Sequence, residues 1–151
     1  MIYISSDHRG FKLKEDLKKE LKRIGEDFKD LGPFKFKSSD DYPDFAKKVA
    51  QKISKNPEQN RGILICGSSV GMLIVANKFK NVRAAPAINK EIVRMSKSHN
   101  NSNILCFAAD FISVRKAKKL LDIWLKEPFS QDIRHKRRLE KIQKIEKENF
   151  K

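Results

Sequence analysis

The chain has 151 residues, with 34 Lys or Arg against 19 Asp or Glu, for a formal net charge of +15. Its 39% hydrophobic content is too high for a disordered chain, and the length suits a single domain, residues 1–151, with a core of its own. No basic start followed by an apolar run opens the sequence, no window is apolar enough to span a bilayer, and two cysteines, Cys66 and Cys106, give neither a disulfide framework nor zinc spacing.

Met1–Ser5 reads as a first strand, running into the polar turn Ser6-Asp7-His8-Arg9-Gly10. Helix 1 follows over about Phe11–Ile24, with Phe11, Leu13, Leu17, Leu21 and Ile24 at helical spacing and Gly25 as its C-terminal cap. Asp27–Leu31 reads as strand 2, and Gly32–Asp40 as a loop containing Pro33 and a Ser-Ser-Asp cluster. Asp41-Tyr42-Pro43-Asp44 opens helix 2, with Phe45, Val49 and Ile53 on one face and an end near Pro57. Strand 3 is Gly62–Cys66, followed by a small-residue turn over Gly67–Gly71 and an apolar helix 3 from Val70 to about Lys78. Strand 4 is Val82–Ala85, and helix 4 is Lys90–Ser98 behind Asn89 as N-cap. Strand 5 is Ile104–Ala108, helix 5 is Ser113–Leu125 capped by Ser113, and a final helix spans about Gln131–Glu148. Alternating strands and helices imply an α/β fold: a Rossmann-like three-layer αβα sandwich, with a five-stranded parallel sheet and an extra C-terminal helix.

The stretch Arg61–Lys80 organises the rest. The run Ile63-Leu64-Ile65 fits a parallel strand covered on both faces. A strand that turns directly into a helix leaves N–H groups free at the helix start, suited to an anion or to negative charge developing on an oxygen. Cys66 is expected to face that site from the strand's carboxyl end, with the helix field pushing its thiol toward thiolate. In a doubly wound sheet, ligands bind beyond the carboxyl ends of the strands at a switch of strand order. Asp7-His8 after strand 1 and Cys66–Gly71 after strand 3 meet that rule, although turn polarity also accounts for the first pair and plain packing for the glycines. The absence of GxGxxG and of a P-loop lysine lowers the nucleotide reading.

His99-Asn100 precedes strand 5, so it lies at the sheet edge opposite Cys66. If His99 shares a site with Cys66, the simplest route is across a subunit interface, which implies at least a dimer. Arg134 and Arg138 project from one face of the last helix as two guanidinium forks suited to a phosphate, although spacing alone favours a solvated basic helix. The +15 charge reads as a lysine-rich solvated surface, with no nucleic-acid-binding signature beside it.

In the order and spacing of Ser6-Asp7-His8-Arg9-Gly10-Phe11, Asp41-Tyr42-Pro43, Gly62–Phe79, Asn81-Val82-Arg83-Ala84-Ala85, His99-Asn100 with Asn103-Ile104-Leu105, and Arg134-His135 with Arg138, the chain resembles the type B ribose-5-phosphate isomerases and the related galactose-6-phosphate isomerase subunits. The resemblance implies an aldose–ketose isomerase that interconverts ribose 5-phosphate and ribulose 5-phosphate through an enediolate. The alternatives are a galactose- or allose-6-phosphate-type hexose phosphate isomerase, or a catalytically impaired homologue that binds a sugar phosphate or nucleic acid. By the same resemblance Cys66 is the base and His99 opens the furanose ring. Gly67, Ser68, Ser69, Val70 and Gly71 hold the enediolate oxygen, and Asn100, Asp7 and His8 contact substrate. Arg134 and Arg138 hold its phosphate. Met72 stands where some members carry a glutamate base, which places the chain with the cysteine users. No cofactor, metal, membrane or specific nucleic acid is implied. A cytoplasmic homodimer, with a tetramer as the larger alternative, is expected to share the site between subunits. Two positions depart from the family: Ser69 replaces a loop glycine, with backbone strain expected if that glycine has positive φ. Asp110 replaces an arginine that contacts substrate, where a carboxylate would repel phosphate unless Lys136, Arg137 or Arg9 compensates.

Overall fold

A computed structural model describes residues 1–150 of the protein. The elements are β1 (Ile2–Ser6), α1 (Phe11–Arg23), β2 (Phe28–Asp30), α2 (Tyr42–Lys55), β3 (Arg61–Cys66), α3 (Val70–Ala76), β4 (Ala84–Pro86), α4 (Lys90–Ser98), β5 (Ile104–Ala108), α5 (Val114–Lys126) and α6 (Ile133–Asn149). The five strands form one parallel sheet in the order β2-β1-β3-β5-β4. The chain winds outward from β1 in one direction and from β3 in the other, so the switch of strand order falls between these two central strands.

Side chains alternate across the sheet and feed two cores. On one face Ile63 and Ile65 of β3 and Leu105 and Phe107 of β5 pack under α1, α4 and α5, where Leu17, Val93, Leu121 and Trp124 are buried. On the other, Leu64, Cys66, Ile104 and Cys106 pack under α2 and α3, against Val49, Ile53, Met72 and Ala76. With both faces covered, β3 is buried from Gly62 to Cys66, as its unbroken apolar run requires. Helix α1 stops in a Schellman arrangement: Glu26 N–H donates to the Leu21 carbonyl and Gly25 N–H to that of Lys22. Asn89 and Ser113 cap α4 and α5 through their side chains, as their sequence positions indicate. Among the described residues no helix is long and apolar enough to cross a membrane.

Three elements depart from the expected bounds by more than a residue. Strand β4 begins at Ala84, not Val82, because Asn81 turns the chain at φ +65° and Val82 N–H closes that turn on the Phe79 carbonyl. Arg83 N–H is then taken by Asn103 Oδ1, so ladder pairing with β5 starts one residue later. β4 is an edge strand, and Asn77 bonds both the N–H and the carbonyl of Ala84 on its open side. Pro86, two residues on, turns its donorless nitrogen to that same side, where no ladder bond is lost. Helix α3 ends at Ala76, two residues short of Lys78: Lys78 and Phe79 N–H bond three residues back and tighten the last turn. Helix α6 starts at Ile133, not Gln131, because Gln131 is left-handed at φ +62° and Asp132 is the cap residue. Only His135 of α6 is buried.

Candidate active site

The carboxyl ends of β1 and β3 bring the two loops together. Asp7 extends the pairing of those strands, donating its N–H to the Ile65 carbonyl at 3.1 Å. Its Oδ1 accepts the Gly10 N–H at 2.9 Å, which ties the turn to the start of α1. Asp7 is 6% exposed, and burial pushes its carboxyl above the usual range despite that bond and the nearby His8.

Cys66 closes β3 at 4% exposure, with its side chain on the α2–α3 face of the sheet. The expected push toward thiolate is overturned. Burial moves the thiol up. The N–H groups of Met72, Ser69 and Ser68 pull it back, the neighbouring Asp7 charge raises it further, and the net direction is upward. The N–H groups at the start of α3 do lower the thiol, but α3 is a short helix and burial outweighs them.

Within Gly67–Gly71 the two glycines serve close approach. A Cβ on Gly67 would lie 2.6 Å from Asp110 Oδ2 and 2.7 Å from Arg9 Nε, and one on Gly71 would lie 2.7 Å from the Tyr42 ring. The left-handed residue is Ser69, at φ +67° and ψ −24°, so a serine occupies the strained position of the loop. Ser68 and Val70 are exposed while Gly67 and Ser69 are buried. Ser68, Ser69 and Val70 border a cavity of about 510 Å³ whose other walls include Ile88, Phe111 and Lys116. Asp110 is 2.5 Å from Arg9, so the carboxylate meets a guanidinium over Gly67. Lys136 and Arg137 are exposed on α6, away from this pair.

His8 donates its backbone N–H to Asp40 Oδ1 at 3.0 Å, and its Nδ1 lies 2.7 Å from the same oxygen. Sequence reasoning missed Asp40. The polar cluster before Tyr42 was visible, but nothing in its spacing marked one member for a residue 32 positions earlier.

The remaining candidates gather elsewhere. His99 is the C-terminal cap residue of α4 and stacks on His135 of α6, with ring centroids 4.3 Å apart and planes at 28°. His135 Nδ1 is 2.7 Å from Ser130 Oγ, and burial, with the nearby His99 and Arg134, holds that imidazole below its usual range. Arg134 and Arg138 are exposed on α6, and exposed Asn100 borders a cavity of about 470 Å³ that also touches Ile92, Met95 and Ile142. Strand β5 runs parallel to β3 with Ile104 opposite Gly62 and Ala108 opposite Cys66. His99 and Asn100 precede that ladder and Cys66 ends it, so a single chain holds the two groups at opposite ends of its sheet. His135 belongs beside His99 and was not singled out from sequence, where it is one cation-rich position among five.

A family model described as Ribose/Galactose Isomerase matches residues 2–142. A protein named probable ribose-5-phosphate isomerase B from Mycoplasma genitalium is 42% identical over 147 residues, covering 97% of this chain and 96% of its own length. Ribose-5-phosphate isomerase B of Escherichia coli is 35% identical over 145 residues, with 96% and 95% covered. The crystal structure of the Mycoplasma genitalium ribose-5-phosphate isomerase B, with ribulose 5-phosphate bound to it, superposes with a TM-score of 0.95 over 98% of this chain and 97% of that one.

Proposed function

The chain belongs to the ribose/galactose isomerase family, and from that premise we propose that it interconverts ribose 5-phosphate and ribulose 5-phosphate without a cofactor, as one isomerase domain over residues 1–151. The observation that carries this reading is the Cys66 thiol at the carboxyl end of β3, next to the N–H groups of Ser68 and Ser69 in the loop and of Met72 in α3, beside the strand switch. In the reaction the Cys66 thiolate takes the C2 proton of the open-chain aldose, and the electron pair moves to the C1 oxygen as a cis-enediolate. Passage of the hydroxyl proton from O2 to O1, with return of the carbon-bound proton from sulfur to C1, gives the ketose. N–H groups of Gly67–Gly71 and the Ser68 hydroxyl stabilise the enediolate oxygen as its charge grows. Asp7 and His8 orient the sugar, and the phosphate serves as an unreacting handle whose binding energy aligns C1 and C2 with the sulfur.

The ring-opening His99, with Asn100, Arg134 and Arg138, lies at the far end of the sheet, so these residues act on the substrate held by another copy of the chain. An apolar surface supports such pairing: Val70 and Ile74 of α3, Ile88, and Ile92 and Met95 of α4 are all exposed around the β4 edge. A cytoplasmic homodimer sharing two composite sites fits these features. The test is a coupled assay of ribulose 5-phosphate formation by the wild type and Cys66→Ala, with galactose and allose 6-phosphates as comparison substrates. Cys66→Ala is expected to lose about 10³-fold in kcat. Activity that survives the substitution removes Cys66 as the base, and a wild type active only on hexose phosphates transfers the reading to that substrate class.

A further inference from the structure

We propose that Asp40 is a positioning residue for substrate binding: its buried carboxylate fixes the His8 ring and leaves Nε2 as the nitrogen offered to the sugar phosphate. The ligand in this statement rests on the isomerase reading; the arrangement of the two side chains does not. Asp40 is 7% exposed at its side chain, and one oxygen, Oδ1, takes both the His8 backbone N–H and the His8 ring at Nδ1. The other oxygen, Oδ2, is buried and has no partner among the described residues. A buried carboxylate is costly unless hydrogen-bonded, and among the described residues His8 is the one that bonds this one. The short Nδ1 contact to an acceptor-only group requires a proton on Nδ1, in the neutral ring as in the charged one. Nε2 is then the nitrogen with no partner among the described residues, on a side chain 29% exposed.

The carboxylate is itself held. The Gly32 carbonyl, at the stem of the 32–41 loop, accepts from Ser6 N–H at 3.1 Å and from Ser5 Oγ at 2.8 Å, and Lys14 Nζ donates to the Pro33 carbonyl at 2.6 Å. The far end of the loop enters α2 two residues after Asp40. Phe36, from the same loop, stands edge-on to the His8 ring at 6.4 Å and against Phe11 at 6.3 Å. The ring is thus bonded on one side and walled on another, which removes rotamer freedom that substrate binding would otherwise have to freeze.

Nitrogen-15 NMR of the ring, at a pH where it is neutral, reads the tautomer directly. Wild type is expected to carry the proton on Nδ1, and addition of ribose 5-phosphate is expected to shift the Nε2 resonance. Asp40→Ala is expected to move the proton toward Nε2 and to raise KM for ribose 5-phosphate about tenfold, with kcat within about twofold. Asp40→Asn keeps an oxygen acceptor and is expected to retain the Nδ1 proton, with KM within about threefold of wild type. A folded Asp40→Asn that loses the Nδ1 proton overturns the proposal, which keeps the test decisive if Asp40→Ala does not fold. An Asp40→Ala protein with unchanged tautomer, or with a changed tautomer and wild-type KM, also overturns it. An Nε2 resonance indifferent to ribose 5-phosphate sinks this proposal alone, whereas a wild type that shows the shift without turnover sinks the isomerase reading alone.

Discussion

Ser69 is the residue at which this chain carries a cost its loop does not require. Its backbone sits at φ +67°, where a Cβ is strained by about 1 kcal/mol relative to glycine. Its side chain makes no cap bond to the start of α3. Ser69→Gly is therefore expected to raise the melting temperature by about 2–4 °C with kcat little changed, measured by calorimetry beside the isomerase assay. A lower melting temperature would show that the hydroxyl contributes more than the left-handed backbone costs. Cys66 and Asp7 show the same tension from the side of charge. Both are buried at the strand ends, and burial raises the carboxyl and the thiol alike above their ordinary values. Arg9 answers the question raised by Asp110: the carboxylate is met by a guanidinium from the turn after β1 and does not face the loop unpaired.

At the scale of elements, α1 and β2 are locked by a buried cation. Lys14 is fully buried, with its Nζ 2.9 Å from both Asp30 oxygens and 2.6 Å from the Pro33 carbonyl. Lys18 adds a second ammonium at 2.7 Å from Asp30. Burial alone would raise the Asp30 carboxyl, but the bonds from Lys18, the Gly32 N–H and Lys14 outweigh it and the net direction is down. A carboxyl held below its unfolded value stabilises the fold above the ordinary carboxylate range, and that share is lost as pH falls through the folded value. Asp30→Asn is expected to cost about 3–5 kcal/mol at neutral pH, since it leaves Lys14 buried without its counter-charge. The gap to wild type should narrow as the pH falls below about 4. Chemical denaturation at pH 7 and pH 3 checks both parts, and a gap independent of pH would remove the charge pairing as its cause. Because the same lysine anchors Pro33, this lock also sets the loop that delivers Asp40 to His8.

For the molecule as a whole, the parallel sheet separates Cys66 from His99. Cys66 ends β3, whereas His99 precedes β5, and no crossover in the order β2-β1-β3-β5-β4 brings those ends together. A dimer with composite sites predicts that assembly and activity fall together. Ile74→Asp and Ile92→Asp each place a charge on the exposed apolar surface of α3 or α4 without touching the core. Each is expected to give a monomer by light scattering, an isomerase rate at least about 100-fold lower, and a melting curve close to wild type. A wild type that is monomeric and fully active would refute the shared site. The charge of +15 is a further property of the whole, expected to speed capture of a sugar phosphate at low ionic strength and to fade with added salt.

Sequence by itself determined what depends on near neighbours along the chain. The 3.6-residue spacing of Leu13, Leu17 and Leu21, the Asn89 and Ser113 caps, the Gly25 stop and the unbroken run before Cys66 each encode hydrogen bonding and burial within a few residues, and each element formed where that pattern lies. The tertiary structure decided what depends on strand order and on which side chains share a dry space. It set the starting register of β4, the meetings of His8 with Asp40, Arg9 with Asp110 and His99 with His135, and the upward direction of the Cys66 thiol. Those pairs join segments far apart along the chain, and desolvation is a property of everything packed around a group, so neither is written in local spacing.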